Sequence, residues 1–179
     1  NSKRNVALTG FMAAGKSVVG KRLARRLKRR FVDLDQAIEV KEGMAVAAIF
    51  RRKGEKYFRA LEKQLLREVL EKDGQVIATG GGAILDEDNL RLLKEKALLV
   101  CLTAGPETVL KRSGVGKGRP LLEGEDRRQR IEELLKLREE SYAKAHLRIK
   151  TDDLTVDEVV GKIMEAIGLR RAQSSRNRH

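Results

Sequence analysis

Gly10-Phe11-Met12-Ala13-Ala14-Gly15-Lys16-Ser17 is the stretch from which the rest of the chain is read. Its spacing, G-x-x-x-x-G-K-S, is that of a phosphate-binding loop. Small residues let backbone N–H groups close around a polyphosphate, and the helix that follows turns its positive end on the same anion. Lys16 is placed to reach β- and γ-phosphates, and the Ser17 hydroxyl to meet Mg²⁺. The flanks agree with this. Asn5-Val6-Ala7-Leu8-Thr9 is an apolar run of strand type, and Val19, Leu23 and Leu27 recur at helical spacing.

The whole chain sets the limits. Its 179 residues, 41% hydrophobic and 36% charged, describe one globular domain large enough to bury a core. No apolar run approaches the roughly 20 residues of a membrane span, and no apolar segment of a secretory signal is visible. Cys101 is the single cysteine. It lies in the apolar run 97–102 and reads as a packed, inert thiol suited to a reducing cytoplasm. The net charge of +13 is compatible with nucleic acid, an acidic surface or an anionic substrate. Much of it is local: Lys21, Arg22, Arg25 and Arg26 on the polar side of the first helix, Lys28-Arg29-Arg30 at its end, and a Gln/Ser/Asn-rich tail. With 3% aromatics and no Trp there is little on which to stack bases. No specific nucleic acid is expected, and a basic nucleic-acid-binding module is only a remote alternative. Residues 1–168 are read as one domain and 169–179 as a basic, disordered tail.

Strands are expected at 4–9, 31–33, 75–79, 97–103 and 146–150. Helices are expected at 16–29, 55–72, 87–95, 106–112, 126–144 and 155–168. This alternation implies a parallel sheet covered on both faces, a three-layer α/β/α fold. Ligands then meet the C-terminal ends of the strands. Asp33 and Asp35 stand at one such end. They read either as Mg²⁺ and hydroxyl partners or as caps of the next helix. Residues 33–61 form an insertion containing apolar Phe50 and Phe58, with a break at Gly54-Glu55. The helix beyond buries Tyr57, Leu61, Leu65, Leu66 and Val69. Arg59 and Glu62, three apart, are either a surface pair or a carboxylate that aims an arginine fork. Gly80-Gly81-Gly82 ends a strand with more glycine than a turn needs, as if a ligand passes against the backbone. The segment 113–125, with Gly114, Gly116 and Gly118 around Arg119, reads as a lid that delivers a cation. In the next helix Ile131, Leu134 and Leu137 face the core, while Arg138 reads equally as an ion-pairing residue or a ligand.

Together these motifs resemble the shikimate kinase family: the loop at 10–17, Phe31-x-Asp33-x-Asp35, Gly54-Glu55-x-x-Phe58-Arg59-x-x-Glu62, the three glycines, Arg119-Pro120-Leu121-Leu122, and Arg138-x-x-x-Tyr142. The resemblance covers residues 4–168. It implies a five-stranded parallel core like that of nucleoside monophosphate kinases, with a substrate-binding insertion and a lid. The implied reaction carries the γ-phosphoryl group of ATP to the 3-hydroxyl of shikimate, with Mg²⁺, in a cytoplasmic monomer of aromatic amino acid biosynthesis. By the same likeness Gly10, Ala13, Ala14, Gly15, Lys16, Ser17 and Val18 hold ATP, and Arg112 and Asp153 lie against its adenine. Ser17 and, through water, Asp33 serve the metal. Lys16, Asp35 and Arg119 are catalytic. Asp35, Arg59, Arg138 and Gly80–Gly82 bind shikimate, supported by Phe50, Phe58 and Glu62. A kinase of another small hydroxy acid, such as gluconate, is the alternative. One departure stands out: the family's loop has glycine where this chain has Ala13. If that position needs a positive φ, alanine there is strained by about 1 kcal/mol or more.

Overall fold

The computed structural model describes residues 4–113 and 126–176, with residues 169–176 described by their backbone alone. In chain order the elements are β1 (Asn5–Gly10), α1 (Lys16–Leu27), β2 (Arg30–Asp33), α2 (Leu34–Glu42), α3 (Val46–Leu70), β3 (Gln75–Ala78), a 3₁₀ turn (Ala83–Leu85), α4 (Glu87–Lys96), β4 (Ala97–Thr103), α5 (Pro106–Ser113), α6 (Arg127–Ala143), β5 (Leu147–Lys150) and α7 (Val156–Arg176). The strands form one parallel sheet in the order β2-β3-β1-β4-β5.

β1 is central, and all six of its residues are buried, as a strand covered on both faces requires. Its alternation divides the core. Ala7 joins Phe11, Leu66, Ile77 and Leu99 on one side of the sheet, while Val6 and Leu8 join Leu23, Val100, Val160 and Ile163 on the other. Cys101 is buried within β4, and burial pushes its thiol up to about 12. Parallel strands end on one edge, so Gly10, Asp33 and the chain just past Ala78 come together there.

The insertion is more helical than the sequence pattern implies. α2 forms because Asp33 caps it, accepting from Gln36 N at 3.2 Å. Leu34 and Ile38, one turn apart, are both fully buried, and Gly43 closes the helix in the left-handed region. α3 begins at Val46, earlier than expected, but the break stands where Gly54-Glu55 marks it: Gly54 adopts φ 83° and ψ 165°. Two residues assigned to the core lie outside it. Tyr57 is exposed and donates its hydroxyl hydrogen to Glu42 at 2.9 Å, while Phe58 takes the interior. Leu137 is 67% exposed because α6 turns Arg138 inward instead. α7 runs on to Arg176, so part of the expected tail is helical; Arg, Ala and Gln there are good helix formers. Of the predicted lid, Ser113 ends α5, while 114–125, including Arg119, fall outside the described residues. Among the described residues no helix is long and apolar enough to cross a membrane.

Candidate active site

The phosphate-binding loop leaves β1 through a close approach. Gly10 has φ 136°, and a Cβ on it would collide with the backbone carbonyl of Leu102 on β4, so no side chain fits. Ala13 has φ 62°, the left-handed conformation that strains an L-residue with a Cβ. Gly15 caps α1, also at positive φ. Lys16 folds back and donates to the carbonyls of Gly10 at 2.5 Å and Phe11 at 3.1 Å. Its amine, withdrawn from water, is pulled down to about 8 by desolvation, with Asp35 acting in the opposite sense. Ser17 Oγ donates to Asp33 Oδ2 at 2.7 Å. Of the two readings the sequence left open for Asp33, the cap is formed: Oδ1 caps α2, while Oδ2 accepts from the loop serine.

Across the cleft, two carboxylates and two guanidiniums surround the three glycines. Arg59 Nη1 donates to Glu62 Oε1 at 2.9 Å, and Glu62 is 1% exposed. Asp35 Oδ1, Glu62 Oε2, and Arg138 Nε and Nη1 are buried with no hydrogen-bond partner among the described residues. Buried polar atoms are normally satisfied, so their gathering in one place marks a site that a ligand completes. Burial holds the Asp35 and Glu62 carboxyls above their ordinary range, against the nearby cations Lys16 and Arg59. The Arg138 guanidinium lies 5.2 Å from the Phe11 ring centroid, and Arg59 lies 5.3 Å from that of Phe58. Phe58 in turn packs on Phe50 with centroids 4.8 Å apart.

The glycines make room for these side chains. A Cβ on Gly80 would stand 2.6 Å from Glu62 Oε2 and 3.2 Å from Asp35 Oδ1. On Gly81 it would stand 3.0 Å from Arg138 Nη1, and on Gly82 2.5 Å from Arg59 Nη2. The run of three, read from sequence as space for a ligand against the backbone, is first of all space for the charged groups that face the cleft.

A cleft of about 520 Å³ joins the two halves. It is lined by Ala13, Gly15, Lys16, Ser17, Val18, Asp35, Phe50, Phe58, Arg59, Glu62, Gly80, Gly81, Gly82, Arg112 and Arg138 from the predicted set. Gly10, Ala14 and Asp33 stand behind this lining. Asp153 does not join it: exposed, it borders a separate hollow between β5 and α7, with Leu147 and Lys162. Its neighbour Asp152 instead ties the turn after β5 to the start of α5, accepting from Gly105 N at 2.9 Å and Thr108 Oγ1 at 2.5 Å. Arg112 is tied to Thr151, by Nη1 to Oγ1 and Nη2 to the carbonyl, both at 3.1 Å. Met12, Glu39 and Val46 also line the cleft and were not foreseen. The Glu39 signal was its position one turn after Asp35 on α2; its carboxylate accepts from Val46 N at 2.9 Å and so joins α2 to α3.

Comparison with known proteins shows the family of the chain. The shikimate kinase family model matches residues 12–168. The chain is 45% identical over 161 residues to the shikimate kinase of Pelotomaculum thermopropionicum, covering 90% of this chain and 94% of that one. It is 46% identical over 160 residues to that of Geobacter sulfurreducens, covering 89% and 88%. Among solved structures, shikimate kinase from Acinetobacter baumannii in complex with shikimate superposes with a TM-score of 0.90 at 38% identity, over 93% of this chain and 94% of that one. Thymidylate kinase from Candida albicans, at 15% identity and a TM-score of 0.60 over 95% and 93%, shares the fold alone. By its sequence, its sheet order and the extent of these matches, the chain belongs to the shikimate kinase family.

Proposed function

We propose that the chain transfers the γ-phosphoryl group of ATP to the 3-hydroxyl of shikimate, releasing shikimate 3-phosphate and ADP. The observation that carries this reading is the cluster of partnerless buried groups beside the phosphate loop: Arg138 Nε and Nη1 and Asp35 Oδ1. A buried guanidinium with spare donors suits a planar carboxylate, which it grips as a fork. A buried carboxylate oxygen suits a hydroxyl. A small acid with ring hydroxyls supplies both.

The chemistry follows from position. Arg138 and Arg59 take the substrate carboxylate, and Glu62 holds Arg59 in place. The 3-hydroxyl then faces the γ-phosphate with Asp35 on its proton. The hydroxyl oxygen forms a bond to phosphorus as the bond to the β,γ-bridging oxygen breaks. ADP leaves with that electron pair, and the hydroxyl proton passes to Asp35, whose burial makes it a better acceptor than an exposed carboxylate. Lys16 exchanges the Gly10 and Phe11 carbonyls for phosphate oxygens. Phosphoryl transfer asks mainly for such alignment and charge neutralisation. Ser17 and Asp33 offer the hard oxygens that Mg²⁺ prefers. When bound, Mg²⁺ neutralises charge on the β- and γ-phosphates. Arg119 adds a further cation from 113–125, and Arg112 meets the nucleotide beyond the phosphate loop. The enzyme works as a cytoplasmic monomer in the supply of aromatic amino acids.

The test is ADP release from MgATP by the purified protein, with shikimate, gluconate, quinate or AMP as acceptor. Saturable release with shikimate alone is expected. Turnover with another acceptor, or ATP binding with no shikimate-dependent turnover, would overturn the substrate assignment.

A further inference from the structure

α6 carries a second buried polar residue whose function the reaction does not by itself explain. Tyr142 follows Arg138 by four residues, one helical turn, so the two lie on the same face. Each is 2% exposed. The Tyr142 hydroxyl donates to the carbonyl of Gly81 at 3.0 Å, and burial pushes the phenol up to about 12, so it remains a donor wherever the enzyme works. Gly81 is thus engaged from three directions. Its carbonyl receives Tyr142, while a Cβ on it would meet Arg138 Nη1 and the Gly10 carbonyl, both at 3.0 Å.

We propose, resting on the shikimate reading above, that Tyr142 is a positioning residue: its bond to Gly81 sets the height of α6 over the glycine loop and thereby places Arg138 against the substrate carboxylate. The remaining anchors of α6 do not fix that height. Ile131 and Leu134 are buried, but apolar packing has no direction. The Arg148–Glu139 pair, at 2.8 and 3.1 Å, and the Arg128–Glu107 pair to α5 are exposed and hold weakly. The hydroxyl bond is directed, is sheltered from water, and lies one turn from the guanidinium it serves. Without it the Gly81 carbonyl loses its donor and the loop can shift relative to α6. Arg138, with no partner for Nε or Nη1, rests before the substrate arrives on the face of Phe11 and against the Tyr142 hydroxyl, and of these two only the hydroxyl contact is directed.

The test compares wild type, Tyr142→Phe, Arg138→Ala and the double variant. Tyr142→Phe keeps the ring in its pocket and removes only the hydroxyl. It should raise the KM for shikimate about five- to tenfold, the effect of one buried hydrogen bond, with the KM for ATP and kcat within about twofold. In the Arg138→Ala background the same change should add less than about twofold. Site-specific 3-fluorotyrosine at 142, which keeps donor and packing, should restore wild-type values. A rise in both KM values together, an undiminished penalty in the Arg138→Ala background, or a loss with fluorotyrosine equal to that with phenylalanine would overturn the positioning role alone. Wild-type enzyme without shikimate-dependent turnover would instead overturn the functional reading, and this one with it.

Discussion

Gly82→Ala separates stability from substrate binding. Gly82 has φ −96° and ψ −2°, a conformation open to any residue, so alanine brings no backbone strain. What it meets is Arg59: the new Cβ would stand 2.5, 2.8 and 2.9 Å from Nη2, Cζ and Nη1. That is the movable end of a long side chain, and it must move. Alanine at a compatible position stabilises by about 0.4–1 kcal/mol through the unfolded chain. Displacing Arg59 from Glu62, a charge-assisted bond to a buried carboxylate, costs about 1.5–3 kcal/mol. The loss exceeds the gain by about 1–2 kcal/mol, and the Tm should fall by only a few degrees. Shikimate sees only the loss. A charge-assisted hydrogen bond contributes about 1.5–3 kcal/mol, so kcat/KM for shikimate should fall about 10- to 150-fold while the KM for ATP holds. Steady-state kinetics with each substrate varied, alongside thermal melting, read both arms. In an Arg59→Ala background the substitution should cost little more. A shikimate KM within twofold of wild type, combined with a Tm lower by many degrees, would refute the reasoning, because the glycine would then be serving the backbone.

Three further outcomes are expected. Ala13→Gly relieves a left-handed alanine, worth about 1 kcal/mol before a partial offset from the freer unfolded chain. The Tm should rise by up to about 2–4 °C and the KM for ATP should fall; a lower Tm would mean that the loop does not carry this strain. Lys16 loses its charge near pH 8 in the empty enzyme, so kcat/KM for ATP should decline above that pH, and a profile flat to about pH 10 would contradict the desolvated amine. Its folded pKa lies below the ordinary 10.5, so between those values the unfolded chain holds the extra proton. Ligand-free stability should therefore rise with pH across that window. Ser17→Ala removes a hard oxygen and should raise the Mg²⁺ concentration for half-maximal rate about tenfold, leaving the shikimate KM within twofold; no change in metal demand would remove Ser17 from the metal's surroundings.

The sheet and the phosphate loop were readable because their signals are local. β1 is an uninterrupted apolar run, α1 repeats Val19, Leu23 and Leu27, and the loop spacing is fixed by the backbone it must wrap. Asp35, Arg59, Glu62 and Arg138 were readable as candidates, but their convergence was implied only by the family resemblance, since it depends on α3 and α6 meeting over the β3 loop. The three glycines carried the right signal for an incomplete reason: sequence shows missing side chains, not whose side chains fill the space. Leu137 misled because helical spacing favours an apolar residue in the core until a neighbour such as Phe11 offers an aromatic face to the adjacent Arg138. Asp153 was placed one residue away from the aspartate that makes the contacts. Both lie in the turn beyond β5, where the alternation of a strand no longer tells which side chain points back at the fold.

The sheet order has an evolutionary consequence. With β1 in the middle, most acceptor-side groups hang from β2, β3 and the helices beside them, and the remaining nucleotide-side groups follow β4 and β5. On the proposed reading the two sides share the phosphate loop as a common wall, and a change of acceptor would fall chiefly on β2, β3 and the insertion. α6 is the exception. It follows β4 in the chain yet reaches across to Gly81 with Tyr142 and Arg138, and a lineage changing its acceptor would have to rework this bridge together with the insertion.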